Sequence, residues 1–188
     1  MAKKKGNNKR VGGTWEREFS RILSKWISGQ DQELICYRAS HSGSISTNAL
    51  KKGKIVRETG DFRAVDPQYA AWFNTLHVDA KSMKDVDLWI SESNMKSNRL
   101  YLEWENTVSQ ARDHGKIPMM PVQWRKARRR FMVVGADTSP TYKSCLTYDI
   151  GRSNGGTIFN IIDLDNYLEF NDADVLFKKA KRLLGVAE

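Results

Sequence analysis

An acidic residue and a lysine stand two apart in His77-Val78-Asp79-Ala80-Lys81-Ser82. In a strand both side chains point to one face. The run before them, from Phe73 to Val78, is apolar enough for a buried strand. Carrying a carboxylate and an ammonium out of such a strand is costly unless they are paired or bind a metal. A second acid heads the upstream run Gly60-Asp61-Phe62-Arg63-Ala64-Val65. Phosphodiester hydrolysis needs an attacking water, neutralised charge at phosphorus and a stabilised leaving oxygen, and divalent cations held by carboxylates supply all three. Asp61 and Asp79 converge if their strands pair antiparallel. Lys81 would then orient or deprotonate the water and stabilise developing charge. Ala80 is small enough for its carbonyl to approach a metal, and the set suits Mg²⁺, with Mn²⁺ as a substitute. By itself the triplet is common, and an alternating strand with a solvated acid–lysine pair explains it more simply.

A third carboxylate must come from another element. Trp15, Phe19, Ile22, Leu23 and Trp26 repeat at helical spacing, with Thr14 as the expected cap and Gly29 as the stop. Glu16 falls about 70° and Glu18 about 90° from the centre of that apolar face, so both flank it and the margin does not separate them. Two solvated glutamates favouring the helix N-terminus are the ordinary alternative. A later helix, expected from about Asn98 to His114, packs through Leu100, Tyr101, Trp104, Val108 and Ala111 and carries a polar stripe of Glu103, Thr107, Gln110 and His114. A solvated stripe accounts for these four.

Other elements frame the site. Leu34 to Arg38 reads as a short strand and residues 39–54 as a loop rich in Ser, Gly, Asn and Lys. A strand is expected from Asp61, a turn at Asp66-Pro67, and a second strand over residues 73–81. Asp85 and Asp87 suggest a helix start. Residues 117–124 and 130–135 read as strands around the basic turn Arg125, Lys126, Arg128, Arg129 and Arg130. Residues 145–150 and 157–162 read as strands, and 163–170 and 172–184 as helices. This order predicts a mixed sheet flanked by helices. Trp89 and Trp124 can stack on bases, but core packing is the expectation for both.

With 188 residues, 40% hydrophobic, the chain is long enough for one well-packed domain. Thirty-one Lys and Arg against 22 Asp and Glu give a net charge of +9, which favours a polyanionic partner such as nucleic acid. Lys3, Lys4, Lys5, Lys9 and Arg10 form a basic start without the apolar run of a signal peptide. No stretch approaches the roughly 20 apolar residues of a membrane helix. Cys36 and Cys145 stand alone and, with three scattered histidines, form no zinc pattern, so a reducing cytoplasm is expected. Ser40, His41, Ser42, Ser44, Ser46 and Thr47, backed by Lys51, Lys52, Lys54 and Arg57, supply hydroxyls and cations suited to phosphates.

Taken in order, Gly13-Thr14-Trp15-Glu16-Arg17-Glu18-Phe19, Tyr37-Arg38, Ser42-Gly43-Ser44, Gly60-Asp61 and Val78-Asp79-Ala80-Lys81-Ser82 resemble the PD-(D/E)XK nucleases, most of all the archaeal-type and phage Holliday-junction resolvases. The resemblance covers about residues 12–135. It implies an α/β, restriction-endonuclease-like core with a mixed central sheet; composition adds a disordered basic arm over 1–11, and 136–188, outside the resemblance, is expected as a C-terminal extension packed on the core. It places Glu16 at the first-helix carboxylate, Asp61 and Asp79 at the metal ligands and Lys81 at the catalytic lysine. It ties Arg38 and Ser44 to DNA, with Ser42, Lys51 and Lys52 beside them. Some relatives use a glutamine on the later helix, which makes Gln110 a candidate. Asp79 stands where Glu is commoner, and Gly60 where the family name has Pro.

The implied activity is Mg²⁺-dependent cleavage of branched DNA by a homodimer, in the cytoplasm or a phage host's cytoplasm. A phage or prophage endonuclease acting on other DNA is the neighbouring reading. A non-catalytic nucleic-acid-binding protein on a nuclease-like fold is the reading of another class.

Overall fold

The computed structural model describes residues 7–30, 34–39, 60–138, 145–149 and 158–186. Its elements are α1 (Asn7–Ser28), β1 (Cys36–Arg38), β2 (Phe62–Ala64), α2 (Ala70–Thr75), β3 (Leu76–Val78), β4 (Lys81–Met83), α3 (Arg99–Asp113), β5 (Ile117–Trp124), β6 (Arg129–Gly135), β7 (Leu146–Asp149), β8 (Ile158–Asp163), α4 (Leu164–Phe170) and α5 (Ala173–Leu183).

The long hairpin β5–β6 is the spine of the sheet, because its strands are buried on both faces. Met119, Met132 and Val134 face one way, and Met120, Val122 and Val133 the other. Alternation with period two therefore gives two apolar surfaces, and each must be covered. Trp15, Phe19 and Leu23 of α1, with α2, α4 and α5, cover the first. Leu100, Tyr101 and Trp104 of α3, with Val86 and Ile90, cover the second. The result is a mixed six-stranded sheet flanked by helices, in which β3 and β4 run parallel to β5 and the remaining pairs are antiparallel.

Several boundaries differ from the sequence reading. Residues 73–75 are helical rather than extended. Asp66 accepts from the Gln68 N–H and starts a turn that leads into α2, whose Trp72, Phe73 and Thr75 are buried. The strand at Asp61 does not pair with the one at Asp79; β2 pairs antiparallel with β1 in a separate two-stranded ribbon. No helix starts at Asp85 and Asp87; Asp87 instead caps a turn through the Trp89 N–H. Within the segment expected as a C-terminal extension, β8 lies between β6 and β7 and is part of the sheet. The helical spacing around residues 163–184 placed α4 and α5 correctly. Among the described residues, no helix is long and apolar enough to cross a membrane.

Helix α1 begins at Asn7, so residues 7–11 are helical and Thr14 is no cap. Residues 1–6 lie outside the described part. The helix passes through Gly12 and Gly13, which costs about 1 kcal/mol per interior glycine. A Cβ on Gly13 would sit 3.3 Å from Nη1 of Arg38, so the bare backbone leaves room for that guanidinium.

His77 is 1% exposed in β3, and burial, opposed in part by the Asp79 charge, lowers its pKa from 6.5 to about 4. A histidine that stays neutral when folded but titrates near 6.5 when unfolded adds stability that is fully present above pH 6.5. That stability is lost as the pH falls toward 4. Urea unfolding of wild type and His77→Gln at pH 7, 5.5 and 4.5 should show the wild type losing more stability with acid. The differential approaches about 3 kcal/mol at most; parallel pH profiles would contradict this.

Candidate functional site

The register explains how Asp79 and Lys81 come to be presented. Leu76 pairs with Ile117 and Lys81 with Val122, so β3 and β4 are two pieces of one strand in unbroken register along β5. The break falls at Asp79-Ala80. The Asp79 N–H still donates to the Met119 carbonyl at 3.0 Å. In a parallel ladder the next donor, back to the Asp79 carbonyl, would be the N–H of residue 121, and Pro121 has none. The strand is interrupted where the chemistry-bearing residues sit, and a proline on the neighbouring strand accounts for it.

Asp61 covers the other side of this strand. Its N–H donates to the Val78 carbonyl at 2.9 Å, and its Oδ2 accepts from the Ala80 N–H at 2.8 Å. Its own carbonyl accepts from the Ala39 N–H at 2.7 Å, which joins it to the end of β1. Gly60 precedes it with φ +100°, and a Cβ there would lie 2.9 Å from the Val78 oxygen. Only glycine permits so close a backbone approach at that φ. The Asp61 carboxylate is therefore seated on the backbone of the triplet, at the open edge of the strand, and not through strand pairing.

Val78 and Ala80 point into the α1 face, whereas Asp79 and Lys81 meet α3. Asp79 is 7% exposed and its Oδ2 lies 2.9 Å from both Lys81 Nζ and Thr107 Oγ1. Lys81 Nζ also lies 3.2 Å from Glu103 Oε2. Burial opposes the lysine's charge, but the carboxylates of Asp79 and Glu103 outweigh it and raise the pKa well above the ordinary lysine range. Lys81 is thus an ammonium in this arrangement, a donor and a positive charge rather than a base.

Thr107 and Glu103, which the sequence reading assigned to a solvated stripe, contact the triplet instead. The signal was present as their one-turn spacing on α3, but nothing in the sequence said which way the stripe faced. Gln110, on the same helix, is partly buried and takes no part in this cluster. His114 is the C-cap of α3.

Glu16 is partly buried on α1. Its carboxylate is taken by Arg38, in an ion pair on the α1 side. Glu18 bonds Arg130, which also bridges to Asp165. Among the described residues, no three His, Cys, Asp or Glu side chains gather as a metal-ligand group. Arg38, expected at DNA, is Glu16's partner, and its neighbour Ala39 touches Asp61. Ser42, Ser44, Lys51 and Lys52 lie outside the described residues. In the basic turn Lys126 pairs with Asp85, while Arg125, Arg128 and Arg129 are exposed. Trp124 packs on Phe131, as expected of a core residue. Trp89 does not: it is 79% exposed, on a turn pinned by Asp87 and Asn94.

No family model, no curated protein and no solved structure matches this chain.

The Thr107 hydroxyl has one proton for three acceptors, the Asp79 carboxylate and the Glu103 carbonyl at 2.9 Å and the Met120 sulfur at 3.6 Å. The carboxylate is the strongest acceptor. Thr107→Val should cost about 1.5–3 kcal/mol in urea unfolding, as expected for a buried hydrogen bond to a charged group. A loss within about 0.5 kcal/mol, the size of an ordinary surface change, would show that this bond does not hold Asp79.

Proposed function

We propose that this protein is a divalent-cation-dependent endonuclease on a restriction-endonuclease-like fold. It hydrolyses phosphodiester bonds of DNA, with branched four-way DNA as the preferred substrate and a homodimer as the working unit. The observation that carries the reading is the Asp61 carboxylate on the Ala80 N–H, between Asp79 and Lys81. This places an upstream acid against the middle of a carboxylate-x-lysine triplet at a strand break. The net charge of +9 and the order of motifs over residues 12–135 support DNA as the substrate.

Asp61 and Asp79 fit Mg²⁺ or Mn²⁺, since Mg²⁺ takes one or two carboxylates and keeps several waters. A cation held there would supply charge neutralisation at the scissile phosphate. Lys81 donates hydrogen bonds, orients the attacking water and stabilises negative charge on the phosphate oxygens. Attack on phosphorus with departure of the 3′-oxygen gives the 5′-phosphate and 3′-hydroxyl implied by the resemblance. Glu16 contributes by holding Arg38 beside the Asp61 ribbon.

The test is incubation with Mg²⁺ and labelled four-way junction, linear duplex and single strand. Asp61→Asn, Asp79→Asn and Lys81→Ala run in parallel. Asn at 61 retains an oxygen for the Ala80 N–H, so it separates charge from architecture. Symmetric nicks in the junction are expected, with each variant slower by about 10²-fold or more. Equal cutting of every DNA would remove junction preference and leave a general endonuclease. Tight DNA binding without cleavage across several metals would replace the enzyme with a binding protein.

A further inference from the structure

Helix α3 grips both charged members of the Asp79-Ala80-Lys81 triplet at once. Thr107 reaches Asp79, and Glu103, one turn earlier, reaches Lys81. Building on the nuclease reading above, we propose that Glu103 is a positioning residue, the anchor that keeps Lys81 in the site once Asp79 turns to a divalent cation.

Lys81 has two anchors, Asp79 at 2.9 Å and Glu103 at 3.2 Å. A cation on Asp79 weakens the first and repels the ammonium. That repulsion acts across a few ångströms in a partly buried site, where water screens it poorly. With Asp79 alone, Lys81 would be driven toward solvent on its flexible stem. Glu103 belongs to a different element, 22 residues further along the chain. It is held apart from the strand break by a helix packed through Leu100, Tyr101 and Trp104, so its grip does not depend on Asp79. Arg99 approaches the other Glu103 oxygen, at 3.9 Å from Oε1, and steadies the carboxylate from the exposed side.

Glu103→Gln removes the charge and preserves the side-chain shape. Two readouts separate this proposal from the nuclease reading. The first is Mn²⁺ binding to the protein without DNA, followed by electron paramagnetic resonance, with thermal unfolding to confirm that the variant folds. Affinity should weaken about tenfold. The second is single-turnover and steady-state cleavage. The rate constant should fall at least tenfold while KM for DNA is unchanged. Unaltered Mn²⁺ affinity together with an unaltered rate constant overturns the proposal. If the wild type cuts no DNA, the nuclease reading fails, and the Mn²⁺ comparison alone decides on Glu103: equal affinity, or no binding by the wild type, overturns it.

Discussion

The Asp61 side chain bonded to the Ala80 N–H is the contact on which the arrangement depends. A sheet edge exposes alternating carbonyls and N–H groups that need partners. Asp61 answers two of them, with its N–H on Val78 and its carboxylate on Ala80. It thereby acts as one residue's worth of a neighbouring strand. That role docks the β1–β2 ribbon against the main sheet, and it requires Gly60 where any Cβ would strike the Val78 oxygen. The same carboxylate is the upstream acid of the candidate site. Architecture and chemistry therefore share an atom, which explains why the acid is placed so closely without strand pairing to hold it.

On the opposite side, Pro121 interrupts the ladder and α3 closes over the gap. A charged pair in a largely buried setting is costly unless its remaining hydrogen-bonding capacity is met. Thr107 and Glu103 meet it from a helix whose own position is set by Trp104 and Leu100 in the core. Packing of the apolar face thus decides where two polar side chains arrive. The ion pair is rigid because its partners come from elements fixed for other reasons.

Much of this was legible in the residues, and what was missed has physical causes. Periodicity located α1, α3, α5 and the β5–β6 hairpin, since each carries a long apolar pattern. Asp61, Asp79 and Lys81 were found because charged groups interrupt apolar runs. The pairing of β2 was not legible, because three-residue strands carry little register information and the partner choice depends on Gly60's close approach. Residues 73–75 looked extended because the run from Phe73 to Val78 is apolar, and only the Asp66 cap upstream distinguishes a helix there. Glu16 and Glu18 looked equivalent on the helical wheel; Arg38 and Arg130, distant in sequence, divide them. Trp89 was assigned to the core by residue type, although its pinned turn holds it outward.

The stacking of Trp72 on Phe177, with ring centroids 4.6 Å apart, has a consequence for how the chain reaches its native state. Trp26 of α1 packs against the same Trp72 and also bonds the Asn171 carbonyl. One end of the described chain is thus buried against the other, and β8 must enter the sheet beside β6. Closing such distant contacts is slow, because loop entropy is lost before burial repays it. During synthesis, α1 would wait with Trp15, Phe19 and Trp26 incompletely covered until α5 leaves the ribosome. Nascent chains of this protein should therefore be most exposed to chaperones in the interval between formation of the hairpin and emergence of α5.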